Sequence, residues 1–111
     1  MTNFLFAYRA PLDFAQGDPG AAEAWGAFFA GLGPHIADAG NPIFSRGAVG
    51  QTGPDTIISG YSVISADSLD EALALAGDCP LIGDRGGVEV GEITAMLTPE
   101  LLRNGASSAA L

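Results

Sequence analysis

The sequence predicts an α+β domain in which two helices are interleaved with four short strands. Three observations predict it: apolar runs of strand length, two segments whose apolar residues recur every three or four positions, and turn residues between them. A chain of 111 residues with 48% hydrophobic content fits one compact domain. We therefore expect one core, with the domain proper at residues 1–97 and a partly disordered tail at 98–111.

The first half of the chain predicts a strand followed by a long helix. The aromatic and aliphatic run Asn3–Arg9 has the composition of a buried strand. Asp18-Pro19 combines a capping carboxylate with a proline at the first helical position, so a helix is expected to begin there. Its apolar stripe runs on to Ile36 and Ala39, but Gly33-Pro34 predicts a kink or break near Leu32.

The second half predicts two clear strands around a shorter helix. A weaker strand candidate, Pro42–Val49, comes first, and Ile57–Ser65 is the best strand in the chain. Ser68 and Glu71 have the spacing of a capping box, which predicts the start of the second helix. Gly87–Ile93 shows the alternation of a fourth strand.

This order, β-α-β-β-α-β, is the ferredoxin-like arrangement, an antiparallel sheet with two helices on one face. The first strand is apolar on both sides, with Phe4 and Phe6 on one face and Leu5 and Ala7 on the other. Helices can cover only one of these faces. The other is therefore expected to pack against a second subunit, which makes a homodimer and a dimeric α+β barrel.

Charge and cysteine content narrow the possible partners. The chain has no lysine, four arginines and 13 acids, for a formal charge of −9. Such a field repels phosphate, so we expect neither nucleic acid nor an anionic membrane as a partner. The single cysteine, Cys79, excludes an intrachain disulfide and a multi-thiolate metal site and is expected to be buried and structural. Without a signal-like or long apolar segment, the sequence predicts an acidic cytoplasmic protein that holds no metal or cofactor.

The segment GYSVISADSLDEALALAGDCPLI followed by GGVEVGEI resembles the C-terminal half of YCII-related (DGPF-type) proteins. NFLFAYR, AWGAFFAGL and AGNPIF agree with the N-terminal half, so the resemblance spans roughly Asn3 to Met96. It implies a dimeric α+β barrel with a cleft between the barrel face and the loops, and no settled reaction, although one relative is similar to a dehydrochlorinase. TGPDTIISG stands where the Asp-Gly-Pro-Phe loop would come, and Trp25 stands where the histidine of the catalytic pair suggested for shorter members would lie.

His35 and Asp38 are the candidate catalytic residues. His35 is the only histidine, and imidazole is well suited to general-base chemistry. Asp38 would orient it if the helix continued through Pro34. The pair would then abstract a proton from a small cyclic or aromatic-derived substrate, as a cofactor-independent lyase or isomerase. The structural alternative is a surface histidine beside an acid.

The candidate ligand-binding residues are polar or aromatic and lie mostly on the central strands. Tyr8, Arg9, Tyr61 and Ser62 would bring polar groups into an apolar cavity, and Arg9 could hold a carboxylate or enolate oxygen. The alternative for Arg9 is a salt bridge at a strand end. Trp25 either belongs to the core or lines the cleft. The sequence thus supports a small-molecule binding or accessory protein, with the enzyme as the second hypothesis.

Overall fold

A computed structural model describes residues 1–14, 20–95 and 99–103 of the chain. Strands β1 (Thr2–Pro11), β2 (Ile36–Pro42), β3 (Thr56–Ala66) and β4 (Gly87–Glu92) form an antiparallel sheet in the spatial order β2-β3-β1-β4. Helix α1 (Ala21–Leu32) precedes β2, helix α2 (Leu69–Ala76) precedes β4, and the short helix α3 (Pro99–Arg103) follows β4. The α+β class is confirmed, and the arrangement is compatible with a ferredoxin-like fold.

The core lies on one side of β1, where side chains of alternate residues are buried. Phe4 and Phe6 are fully buried, and each large apolar side chain removed from water contributes roughly 2–3 kcal/mol. Helices α1 and α2 both contribute to this core. Its buried members are Phe4, Phe6, Tyr8, Ala10, Phe28, Leu32, Ile64, Ala66, Ala72, Ala76, Cys79 and Leu81.

The first helix ends where the sequence predicts a break. It stops at Leu32, because Gly33 has a φ of 52° and Pro34 has no amide hydrogen to continue the ladder. After a 3-10 turn at Gly33–His35, the chain enters β2 at Ile36. Asp18-Pro19, the predicted helix start, lies outside the described residues.

The predicted location of the second strand is wrong. The strand is Ile36–Pro42, a segment that overlaps the end of the apolar stripe predicted for the first helix. Residues 43–55 form a loop instead of the strand expected at Pro42–Val49. The physical reason is that the freed backbone after Pro34 pairs with β3, from Ile36 opposite Ile64 to Pro42 opposite Gly60. Tertiary pairing overrides the weak strand propensity of this segment.

The second helix begins as the sequence predicts. The Ser68 Oγ accepts a hydrogen bond from the Glu71 amide at 3.1 Å. The Glu71 carboxylate in turn accepts from the amide of Asp67 at 2.9 Å, one residue earlier than the capping-box pattern places it. On this helix Ala72 and Ala76 are buried, whereas Leu69 and Leu73 remain 47% and 48% exposed.

A bulge changes which residues of β3 share a face. Tyr8 pairs with Gly60 but Arg9 pairs with Ile58, so Ser59 is an extra residue opposite β1. In a regular strand Ile58 and Ile64 would lie on the same face of the sheet, because they are six residues apart. The bulge shifts the alternation by one residue, so Ile58 lies on the face of Arg9 instead. The bulge also puts the consecutive residues Ser59 and Gly60 into buried positions.

The described part of the chain also bears on Cys79, on membrane helices, on metal ligands and on the tail. Cys79 is a free cysteine and is buried, as expected, and burial raises the pKa of its thiol. Within residues 1–14, 20–95 and 99–103, no helix is long and apolar enough to cross a membrane, and no cluster of three or more potential metal ligands is found. The predicted tail contributes α3, and its other residues lie outside the described ones.

Candidate functional site

A pocket of about 280 Å³ lies between α1 and the β2 side of the sheet. One wall is aromatic and consists of side chains from β1, from the turn after it and from α1: Tyr8, Phe14, Trp25 and Phe29. The opposite wall is formed by short or polar residues of β2 and β3: Ala39, Gly40, Asn41, Pro42, Ser59, Gly60 and Tyr61.

The aromatic wall is built by helical spacing and ring packing. Trp25 and Phe29 are four residues apart, so they lie on the same side of α1. The Trp25 ring contacts that of Tyr8 edge-on, with centroids 4.9 Å apart and planes at 79°, and lies 5.8 Å from the ring of Phe29 at 32°. Phe28 packs behind them in the core. These mutual contacts hold the rings in place before any ligand arrives.

The opposite wall depends on a bulge in β2. Pairing with β3 shifts register twice, between Ile36 and Asp38 and again between Asp38 and Asn41. Gly40 has a φ of 75°, and a Cβ atom there would overlap the carbonyl oxygen of Tyr61. The Asp38 Oδ1 accepts a hydrogen bond from the Gly40 amide at 2.8 Å, which fixes this turn of the backbone. The wall therefore requires glycine at position 40.

A buried chain of hydroxyl groups joins the pocket wall to the core. Tyr8 donates from its hydroxyl to the Ser62 Oγ at 2.8 Å, and Ser62 donates to the Ala39 carbonyl at 2.7 Å. Burial raises the pKa of Tyr8 to about 12, while the bond to Ser62 opposes the rise. Tyr8 is therefore a neutral donor at ordinary pH, and the carbonyl displaced by the β2 bulge has a partner.

The β3 bulge keeps the floor of the pocket open. The Ser59 Oγ donates to the carbonyl oxygen of Tyr8 at 3.3 Å. At Gly60 a Cβ atom would lie 3.2 Å from the Asn41 carbonyl oxygen and 3.6 Å from the Tyr8 ring. Glycine thus leaves space beside the ring and lets β2 approach β3 closely.

The predicted ligand-binding residues divide into three groups. Tyr8, Trp25 and Tyr61 line the pocket, and Ser62 supports it from below through Tyr8. Arg9 points elsewhere: its Nε donates to the Thr56 Oγ1 at 3.1 Å, and its Nη2 donates to two backbone carbonyls in the same region. Arg9 therefore anchors the end of the 43–55 loop.

The structure does not bring His35 and Asp38 together as a pair. The His35 Nδ1 lies 2.8 Å from the Ser65 carbonyl oxygen, to which it donates, since a carbonyl can only accept. Asp38 accepts from the Gly40 amide, and no hydrogen bond or ion pair between the two side chains is found in the described part of the chain. Neither residue lines the pocket. Both side chains have local structural partners.

Some pocket residues were not predicted from the sequence. Phe29 belongs to the same helical stripe as Trp25, and that spacing was the available signal. Gly40 was not identified as a site residue, because its bulge depends on pairing with β3. Phe14 had no signal, since the bond from its amide to the Pro11 carbonyl at 3.0 Å forms in a turn that the sequence does not mark.

The fold and the pocket together define a small α+β protein with a preformed, aromatic-walled cavity. Comparisons of the chain with family models, curated proteins and solved structures gave no match.

Proposed function

We propose that this protein binds a small organic molecule in the pocket between α1 and β2, in a cytoplasmic binding or accessory role of the YCII-related type. The observation that supports the proposal is the lining itself: four aromatic rings face short, partly polar residues in a cavity of about 280 Å³. Mostly apolar, preformed cavities with a few polar groups are the usual form of small-ligand sites. The volume suits a molecule of about one ring.

We further propose a ferredoxin-like subunit that dimerises through the open face of its sheet, as in a dimeric α+β barrel. We define this open face as the pairs Leu5–Val63 and Arg9–Ile58, which lie on the side of β1 away from the core. Leu5 is 38% exposed, although it is in the middle of the sheet. An apolar patch on a central strand favours a second copy as its cover.

Sedimentation of a matched pair of variants tests the dimer. Leu5→Asp places a charge on the open face and should give monomers at concentrations where the unchanged protein is dimeric. Leu73→Asp changes a leucine on α2 that is 48% exposed, and it should leave the dimer intact. A monomeric unchanged protein would exclude the barrel, whatever the variants do.

The fluorescence of Trp25 tests the binding site, because it is the only tryptophan and lines the pocket. A panel of small ring-bearing compounds should yield ligands that change its emission. Phe29→Ala removes part of the aromatic wall and should lower the affinity for such ligands about tenfold, as expected for the loss of one buried aromatic contact. Phe44→Ala removes a phenylalanine that is 66% exposed and outside the lining, so affinity should stay the same. Equal effects of the two substitutions would place the ligand elsewhere.

The lyase or isomerase hypothesis is separated from binding by His35→Ala. A binding protein should keep its ligand affinity, since the imidazole of His35 contacts the Ser65 carbonyl and not the pocket. An enzyme that used His35 as its base should lose turnover. Loss of a measured turnover in this variant, with affinity unchanged, would favour the enzyme.

A further inference from the structure

We infer that the pocket takes a cationic ligand of the quaternary-ammonium type. This inference rests on the proposed function, because it names the chemical class of the molecule bound at the same site. The charge around the pocket, the inclination of its rings and the hydrogen-bonding state of its polar groups each favour a cation over an anion or a flat neutral ring.

The charge distribution excludes an anion as the preferred ligand. Among the described residues that line the pocket there is no Lys, Arg, His, Asp or Glu, and the whole chain has a formal charge of −9. The arginines on the sheet and its loops are occupied: Arg9 by carbonyl and hydroxyl oxygens, Arg46 by the Ile58 carbonyl at 3.2 Å, and Arg85 by the Asp13 carboxylate at 2.9 Å. An anion would meet no positively charged side chain among the described lining residues, whereas a cation is attracted by the field of the whole protein.

The inclination of the rings favours a rounded cation over a flat molecule. The planes of Tyr8 and Trp25 are inclined by 79° and those of Trp25 and Phe29 by 32°. These rings therefore form several differently oriented walls, and not the parallel-sided slot that holds a planar ring by stacking. The methyl groups of a quaternary ammonium point in four directions and can contact such walls together. Cations bind aromatic faces, those of tryptophan best.

Several of the hydrogen-bond donors at the site are already used within the protein. The Tyr8 hydroxyl gives its hydrogen to Ser62, Ser62 gives its own to Ala39, and the Gly40 amide is bonded to Asp38. An anionic ligand needs donors, and those that remain on the described lining side chains are neutral: the hydroxyl of Tyr61, which accepts from the Asn41 Nδ2 at 3.2 Å, and the second hydrogen of that amide. A quaternary ammonium needs no donor.

Choline and its uncharged isostere 3,3-dimethylbutan-1-ol test the inference, because they differ in charge but hardly in shape. Calorimetry with the whole protein at low ionic strength should show choline binding about tenfold more tightly. Added salt should lower the affinity for choline and leave that for the alcohol nearly unchanged, since only the cation is attracted by the negative field of the protein. Trp25→Leu should remove most of the preference, and Phe44→Ala should keep it.

Other outcomes would overturn the inference in distinguishable ways. Equal binding of both probes, or tighter binding of the alcohol, would show that charge is not recognised and would leave the small-molecule pocket standing. Binding of neutral ring compounds without choline would have the same meaning. Failure of every class of compound to bind would remove the proposed function as well.

Discussion

The two edges of the sheet are built differently. On one edge, β4 pairs with β1 through six consecutive residue pairs without a shift. On the other edge, β2 pairs with β3 with two register shifts, a glycine at positive φ and an aspartate that bonds to the backbone. The pocket lies at this irregular edge.

The difference shows that the irregularity builds the site. A regular strand in place of β2 would pair its carbonyls with β3, whereas the bulged β2 turns the Ala39 carbonyl toward Ser62 and leaves room in front of Tyr8. Bulges and a proline also discourage another chain from pairing with an edge strand. The irregular edge therefore provides the cavity.

The largest expected effect comes from Gly40→Ala. Its Cβ would overlap the Tyr61 carbonyl at a backbone angle that alanine avoids, so the free energy of unfolding should fall by more than about 3 kcal/mol. Gly91→Ala is the matched change on β4, where a Cβ would meet nothing within 4 Å. It should change stability by less than about 0.5 kcal/mol. Urea unfolding of both variants measures the contrast, and equal losses would refute it.

Alkaline pH should destabilise the protein through Tyr8. Because the pKa of Tyr8 is raised from 10.0 to about 12, the folded state holds its proton more tightly than the unfolded state does. The contribution of this raised pKa to the free energy of unfolding is complete below pH 10. It is lost as the pH rises toward 12, at up to about 1.4 kcal/mol per pH unit. The fall in the free energy of unfolding over this pH range should be smaller in Tyr8→Phe than in the unchanged protein, whereas Tyr61→Phe should keep it. An unchanged slope in Tyr8→Phe would contradict the assignment.

Removal of the buried hydroxyl at Ser62 should have a somewhat smaller effect. Ser62→Ala leaves the Tyr8 hydroxyl and the Ala39 carbonyl without their partner, which should lower the free energy of unfolding by about 2 kcal/mol. Ser65→Ala, three residues further along β3, is the control and should change it by less than about 0.5 kcal/mol. The double variant with Tyr8→Phe should lose less than the sum of the single changes, because both belong to one chain of hydrogen bonds. Additive losses would show that the chain does not act as a unit.

The smallest expected effect concerns Asp38. Asp38→Ala removes the hydrogen bond to the Gly40 amide and should lower the free energy of unfolding by about 1 kcal/mol. Asp38→Asn should retain most of this stability, because its side-chain oxygen can still accept the bond. Glu89→Ala on β4 removes an exposed acid from the regular edge and should be nearly neutral. Thermal unfolding of the three variants at neutral pH gives the order. If Asp38→Asn were as harmful as Asp38→Ala, the side chain would not act as a hydrogen-bond acceptor for the turn.

Local signals were read correctly from the sequence because the residues that produce them are close together in the chain. Ser68 and Glu71 form their cap within one helical turn, and Gly33-Pro34 end α1 whatever lies nearby. The position of β2 was missed because Ile36–Pro42 has few β-branched residues and becomes a strand only by pairing with β3. Three of the five predicted ligand-binding residues line the pocket, and a fourth supports it.

The sequence by itself determined the α+β class, the order of helices and strands, the apolar faces of β1 and the acidity that disfavours anionic partners. These follow from periodicity, local capping and net charge, which act over short stretches or do not depend on conformation. Only the tertiary structure decided where β2 lies, which way Arg9 and His35 point, and that Gly40 and Tyr8 line one pocket that Ser62 supports through Tyr8. These features arise from contacts between residues up to 54 positions apart, where packing and pairing across the sheet outweigh local preference.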